Sequence, residues 1–253
     1  MDSYESFARV YDELMDDVPY DEWTSFTREK LTEYGISGGL ALELGCGTGK
    51  MMNRLQQAGF DMIGVDSSID MLQIARENSD PGCLYLLQDM REFELYGTVR
   101  AVLSFCDSLN YITDKEDLLQ VFRLVNNYLD PGGIFLFDMN TEHKYRDIIG
   151  DAVIAEDRED VSFIWDNTYD EDRHLNEISL SVFVREDPGS GDDEPLYRKF
   201  QEEHIQRGYR KEEIIDLIEE SGMAFLAAYD GYGPDPAHEE SERIVFLARE
   251  QGK

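Results

Sequence analysis

Apolar residues recur at helical spacing at the start of the chain, at Phe7, Val10, Tyr11 and Leu14. They do so again after Pro19, through Trp23, Phe26 and Leu31, before Gly35 and Gly38-Gly39 stop the pattern. Two amphipathic helices are predicted there. A short apolar run over 40–44 then reads as a strand, followed by a glycine-rich turn and by Met51, Met52 and Leu55 at helical spacing. The alternation continues with predicted strands over 60–66, 83–87, 99–105 and 134–139. Helices are predicted from Met71 and Leu72, behind the cap Ser67-Ser68-x-Asp70, and over Leu118, Leu119, Phe122, Val125 and Leu129. The turn Asp130-Pro131-Gly132-Gly133 closes the latter helix. Strands that alternate with helices predict an α/β fold around a parallel sheet.

The period changes from helical to two after residue 140. Phe163, Trp165 and Thr168, then Ile178, Leu180, Val182 and Val184, then Tyr197, Phe200 and His204 mark antiparallel strands. An acidic loop over 187–194 interrupts them. A helix over 211–221 carries Ile214, Ile215, Leu217 and Ile218 and ends at Gly222. Strands over 224–229 and 243–248 finish the pattern, separated by the turn-rich loop 231–236. One domain is expected over 1–253, with a helical cover at 1–34, a ligand-binding core at 35–140, an inserted sheet at 141–208 and the closing elements at 209–253. The insertion would build a substrate pocket, thicken the core or make a homodimer contact.

The glycine turn carries the chemistry. Glycines allow a sharp turn and close approach of a ligand, and the following helix offers free N–H groups. A phosphate-binding P-loop needs G-x-x-x-x-G-K-[ST]. Here Gly49-Lys50 imitates its end, but position 44 is Leu and position 51 is Met. A dinucleotide turn needs G-x-G-x-x-G, and Lys50 stands where the third glycine belongs. What is present is Glu43-x-Gly45-x-Gly47-x-Gly49. This resembles motif I of the class I S-adenosylmethionine (SAM) methyltransferases, [DE]-x-G-x-G-x-G.

That resemblance implies a Rossmann-like sheet of seven strands in the order 3-2-1-4-5-7-6, with strand 7 antiparallel. It implies SAM as cofactor, held at the turn by Glu43, Gly45, Cys46, Gly47, Thr48 and Gly49. Glu43 suits the ammonium of the methionyl group. Asp66 lies 21 positions after Gly45, close to the roughly 20 expected of a ribose-binding acid. Ser67 follows it, and Met71 is placed to pack on the adenine. In the family, the acid at the position of Asp89 accepts from the adenine amino group, with Gln88 and Met90 beside it. Phe105 and Cys106 end the fourth strand, at the expected topological switch point.

The string Y-x-x-F-A-x-x-Y-D-x-L-M, Tyr4 to Met15, is similar to the start of methyltransferases related to glycine N-methyltransferase and the amino-sugar N-methyltransferases. In that group the N-terminal segment closes over SAM, which implies Tyr4 and Tyr11 as cofactor contacts. The segment Asp107-Ser-Leu-Asn110-Tyr resembles the family's S-L-N-Y-type sequence rather than the D-P-P-Y type of enzymes acting on DNA bases. Tyr11, Asp107 and Asn110 are the candidates near the transferable methyl. The Leu129-Asp-Pro-Gly-Gly133 turn is another recurrent family feature.

Charge narrows the partners. With 55 Asp and Glu against 23 Lys and Arg, the formal net charge is −32. Such a surface repels nucleic acid and anionic membrane, and either suits a small-molecule or cationic partner or serves solubility alone. Cys46, Cys83 and Cys106 are far apart and His143, His174, His204 and His238 are scattered, so neither disulfides nor a metal site are expected. The first residues carry no long apolar run. A cytoplasmic protein without signal peptide or membrane span is expected. The expected activity is methyl transfer from SAM to a small-molecule N- or O-nucleophile. Two other classes use a similar turn: a SAM-binding sensor or assembly protein without turnover, and an NAD-dependent oxidoreductase, which Lys50 opposes.

Overall fold

The computed structural model describes residues 4–79, 82–186 and 196–252, and for residues 4–7 and 9 the backbone alone. The predicted acidic loop at 187–194 and the side chains of Tyr4 and Phe7 therefore lie outside the described residues. Two helices open the chain, α1 (Tyr4–Leu14) and α2 (Tyr20–Glu33). A βα alternation follows: β1 (Gly39–Leu44), α3 (Lys50–Gln57), β2 (Phe60–Asp66), α4 (Ile69–Asn78) and β3 (Leu84–Leu87). Next come β4 (Val99–Ser104), a 3-10 turn (Ser108–Tyr111), α5 (Lys115–Tyr128) and β5 (Leu129–Asn140). After the inserted strands β6 (Val153–Asp157), β7 (Val161–Asp170), β8 (Leu175–Glu186) and β9 (Leu196–Arg207), the chain ends with α6 (Lys211–Glu220), β10 (Met223–Asp230) and β11 (Arg243–Glu250).

The main sheet has seven strands in the order β10-β11-β5-β4-β1-β2-β3. Strands β1 to β5 are parallel, while β11 runs antiparallel to both β5 and β10. This is the 3-2-1-4-5-7-6 order expected from the sequence. Its strands are buried on both faces, as their nearly continuous apolar runs require. Alternate residues of β5 serve the two layers. Phe135 and Phe137 join Phe122 and Phe246 under α5 and α6, and Ile134 and Leu136 join Leu31, Met52 and Leu55 under α2 and α3. Phe137 stacks on both Phe135 and Phe246, with ring centroids 4.4 and 5.1 Å apart.

One boundary differs from the sequence reading. Helix α5 ends at Tyr128, and Leu129 already pairs with Val99 in the sheet. The Asp130-Pro131-Gly132-Gly133 segment is a bulge inside β5, where the register against β4 shifts between Val99 and Ala101. Glu250 secures it by accepting from the Gly132 amide at 2.8 Å. The strands β6 to β9 form a separate antiparallel sheet between β5 and α6, as the period-two pattern predicts. Among the described residues no helix is long and apolar enough to cross a membrane.

Candidate active site

The chain order reverses between β1 and β4, so their C-terminal ends diverge into a crevice. A cavity of about 710 Å³ opens there. The three motif glycines all have positive φ, 69° at Gly45, 49° at Gly47 and 78° at Gly49. They serve different needs. A Cβ on Gly45 would stand 2.6 Å from Ser108, and one on Gly49 would stand 2.7 Å from the Tyr85 hydroxyl. A Cβ on Gly47 would meet nothing within 4 Å. Gly47 thus leaves a space against the backbone, facing the cavity, that no side chain of the protein fills.

Two carboxylates line the cavity at this end of β1 and β2. Glu43 is 3% exposed at the end of β1, and its Oε2 has no hydrogen-bond partner. Burial, and then the neighbouring Asp66, push its pKa well above the ordinary carboxylate range. Asp66, at the end of β2, accepts from the Gly47 amide through Oδ2 and from the Ser68 amide through Oδ1, both at 2.8 Å. It pins the glycine turn to the start of α4. Two oxygens offer about four acceptor positions, so positions remain for a ligand hydroxyl. Burial raises the Asp66 pKa, and the amides of Ser68 and Gly47 oppose that shift. Asp89 is different. Its carboxylate is gripped by the Arg91 side chain, with Nε at 3.0 and 3.1 Å from its two oxygens, and by the Arg91 amide at 2.8 Å. Those Arg91 contacts hold the Asp89 pKa low.

The end of β4 is strained. Cys106 and Asp107 have φ of 55° and 50°, unusual for residues with a Cβ. The cause lies in Asp138 of β5, which is fully buried. Its carboxylate accepts from the Cys106 amide at 3.1 Å and the Asp107 amide at 2.6 Å, and also from Arg243 at 2.8 Å and Tyr232 at 2.5 Å. Arg243 also reaches Asp107 Oδ1 at 2.7 Å, and Gln206 of β9 donates to Asp107 Oδ2 at 2.7 Å. Asp107 lines the cavity with both oxygens engaged. Lys144 lines it too, donating to the Asn140 side chain at 3.1 Å. Burial, then the Arg243 charge, lowers its pKa.

The cavity is covered by α1 and by the inserted sheet. Val10, Tyr11, Leu14 and Met71 pack with Phe163, Trp165, Ile178, Leu180 and Val182. The Thr48 hydroxyl donates to Asp12 at 2.6 Å, and Lys50 pairs with the same carboxylate at 2.9 Å. Tyr11 lines the cavity, and burial, then Cys106, pushes its hydroxyl pKa up, so it stays protonated and can donate.

Most sequence-predicted positions meet at this cavity: Tyr11, Glu43, Gly45, Cys46, Gly47, Thr48, Asp66, Ser67, Met71, Gln88, Asp89, Met90, Phe105, Cys106 and Asp107 all line it. Gly49 sits behind it against Tyr85. Asn110 does not line it either. It is fully buried, and its amide bonds the carbonyls of Asn140 and Arg207 at 2.9 and 2.8 Å and the Asn140 amide at 3.0 Å. Asn110 is a clamp holding the two roots of the inserted sheet. The Tyr4 side chain lies outside the described residues. Sequence reasoning missed Tyr20, Lys144, Glu202, Gln206 and Arg243 as wall residues. On β9 the row facing the cavity is Glu202, His204 and Gln206, whereas Tyr197, read as part of that pattern, is 45% exposed. An every-second polar series opposite apolar strands was the available signal.

A family model described as a methyltransferase domain matches residues 41–133, from β1 to the bulge of β5. The chain is 35% identical over 251 residues to a Geobacillus sp. (strain WCH70) protein that carries the name methyltransferase with no acceptor specified. That match covers 98% of this chain and 99% of the other. The chain belongs to the SAM-dependent methyltransferases. A solved SAM-dependent methyltransferase from Clostridium acetobutylicum ATCC 824 is 30% identical and superposes with a TM-score of 0.86, covering 99% of this chain and 100% of that one. SAM-bound CalS10, an amino pentose methyltransferase of Micromonospora echinaspora, shares the fold at 18% identity with a TM-score of 0.76, over 96% of this chain and 97% of its own. The cofactor of this methyltransferase is SAM. The residues present fit it: the unpartnered Glu43 oxygen, the open space at Gly47 and the spare acceptor positions of Asp66 suit an ammonium, a close-lying chain and ribose hydroxyls.

Proposed function

We propose that this methyltransferase methylates a nitrogen or oxygen nucleophile of a small molecule by in-line displacement, and that its catalysis rests on positioning and water exclusion. When bound, SAM supplies a methyl group already activated by a sulfonium. The protein then has to orient the nucleophile and keep water out, and good positioning alone contributes roughly 7–11 kcal/mol to such reactions. The single observation that carries the reading is the orphaned Oε2 of Glu43, buried in the wall of the cavity that Gly47 also lines.

In this reading Glu43 accepts from the methionyl ammonium and Asp66 from the ribose. Met71, Gln88 and Met90 line the adenine side. Asp89 acts mainly through Arg91, because its oxygens are already engaged. Residues 1–34 cover the cofactor, 35–140 bind it, and 141–208 form the acceptor side. At the acceptor end Tyr11 donates a hydrogen bond. Asp107 is held rigid between Arg243 and Gln206 and positions the nucleophile. Lys144, with its lowered pKa, is the group placed to receive a proton from an amine or hydroxyl. The net charge of −32 supports a small-molecule acceptor over nucleic acid.

Calorimetric titration with SAM, S-adenosylhomocysteine and NAD, followed by transfer of radiolabelled methyl to a metabolite panel, tests this. Micromolar binding of the first two and labelling of a small molecule are expected. Binding of NAD in their place would overturn the reading. Tight SAM binding with no transfer across a broad panel would favour a sensor.

A further inference from the structure

Four carboxylates are buried among the described residues: Glu43, Asp138, Glu202 and Glu250. Two are satisfied inside the protein. Asp138 accepts four hydrogen bonds, and Glu250 accepts from the amides of Gly132 and Gly252. The other two face the cavity, and both have orphaned oxygens. Glu43 is matched by the cofactor's ammonium. Glu202 has no match in anything described so far.

Glu202 is 6% exposed, and neither of its oxygens has a hydrogen-bond partner. Its recorded contact is His204 Nε2 at 3.3 Å from Oε2, an ion pair only when the ring is protonated. Even then Oε1 stays unmatched. A buried carboxylate left in this state is costly unless a donor arrives.

Its surroundings say what kind of donor. Across the inserted sheet Glu202 pairs with Leu180, and Leu180 with Trp165. An apolar wall of Phe163, Trp165, Ile178 and Leu180 thus runs beside the polar row of β9. The other end of that row, Gln206, is bonded to Asp107 at the end of β4. Glu202 lies four residues from Gln206, roughly 13 Å along the strand at about 3.3 Å per residue. A group that accepts a methyl needs a free lone pair, so it cannot be the protonated cation itself, and its place is at the Asp107 end. A cation paired with Glu202 is therefore a second group on the acceptor, remote from the reacting one.

Resting on the methyltransferase reading above, we propose that Glu202 docks a cationic group of the acceptor. The acceptor class is a small molecule with a nucleophile at one end, an ammonium or guanidinium at the other, and an apolar stretch between them that lies on Trp165 and Leu180. The net charge of −32 would concentrate such a molecule near the protein.

The test uses the full chain saturated with S-adenosylhomocysteine. It is titrated calorimetrically with α,ω-diamines of five to ten carbons and with the matched diols and dicarboxylates. At least one diamine is expected to bind, with diols and dicarboxylates at least tenfold weaker. Glu202→Gln is expected to weaken that diamine tenfold or more while the S-adenosylhomocysteine Kd stays within twofold, which also reports that the variant is folded. Diamine affinity unchanged in Glu202→Gln, diols binding as well as diamines, or no diamine binding at all would overturn the proposal while leaving the methyltransferase reading intact. Failure of S-adenosylhomocysteine to bind the wild type would overturn both.

Discussion

Asp12 accepts a hydrogen bond from the Thr48 hydroxyl at 2.6 Å, so the first helix is tied directly to the glycine turn it covers. Lys50 adds an ion pair to the same carboxylate at 2.9 Å, but its side chain is 38% exposed and solvent screens that contact. The Thr48 bond, to a charged acceptor, contributes about 1.5–3 kcal/mol and dominates. Asp12→Ala is therefore expected to raise the Kd for S-adenosylhomocysteine roughly tenfold and to speed hydrogen exchange of the α1 amides. In the wild type, ligand should slow that exchange, as for a gating segment. Equal exchange of α1 with and without ligand would mean a permanent covering helix held by Val10, Tyr11 and Leu14.

Glu43→Gln is expected to move stability and binding in opposite directions. Burial raises the Glu43 pKa in the fold. The unfolded chain therefore ionises first, and stability falls as pH rises from the ordinary carboxylate range toward the raised value. The amide variant escapes that loss. Without ligand at pH 7 its Tm should be higher, by roughly 2–4 °C for each kcal/mol recovered. Its SAM affinity should fall about tenfold or more, because a hydrogen bond to a charged acceptor is lost. The same linkage makes wild-type SAM affinity rise with pH across that window. Thermal melts against pH, with and without SAM, check both signs; a ligand-free variant less stable than wild type would contradict the account.

The parts of the site that sequence revealed are those whose chemistry is local. Glu43-x-Gly45-x-Gly47-x-Gly49 was legible because positive φ and close backbone approach restrict the residue types allowed at each position. Asp66 was legible because one βαβ unit fixes its distance from the turn. Asp138 and Arg243 were not, because only the antiparallel pairing of β5 with β11 brings them together, 105 residues apart. Asp138 was hidden in an apolar run, and Arg243 reads as a surface charge at the start of a strand. The place of Asn110 away from the cavity was not legible for the same reason. Asn110 follows the switch point in sequence, but its partners Asn140 and Arg207 are 30 and 97 residues away. The elements of the fold were legible from period and turn residues segment by segment, and the order of the seven strands from the resemblance carried by the glycine turn. The bulge at Pro131 was the exception, where a helix stop and a strand start share the same residues.

Gly47→Val is expected to keep the fold and lose the cofactor. The position has φ of 49°, which a β-branched residue tolerates poorly, so a loss of about 1–2 kcal/mol in stability is expected. Beyond its two chain neighbours no protein atom lies within 4 Å of the added Cβ, so the Cβ itself adds no clash to that strain. The side chain would project into the space left against the turn. A drop of more than a hundredfold in S-adenosylhomocysteine affinity should accompany a cooperative melt only a few degrees lower. Retained affinity in calorimetry would mean that the space at Gly47 is not the cofactor's.

Asn110→Ala separates a structural clamp from a catalytic group. The Asn110 amide bonds three backbone groups, at Asn140 and Arg207, where the chain leaves β5 for the inserted sheet and where it returns. Truncation leaves those groups buried without partners, at about 1–3 kcal/mol for each that cannot rebond. A total near 3 kcal/mol corresponds to roughly 6–12 °C in Tm. The clamp does not touch the cavity, so S-adenosylhomocysteine affinity should stay within a fewfold of wild type. Faster hydrogen exchange should be confined to the roots of β9 and the segment after β5. The opposite pattern, an unchanged Tm with methyl transfer abolished, would return Asn110 to the reacting centre.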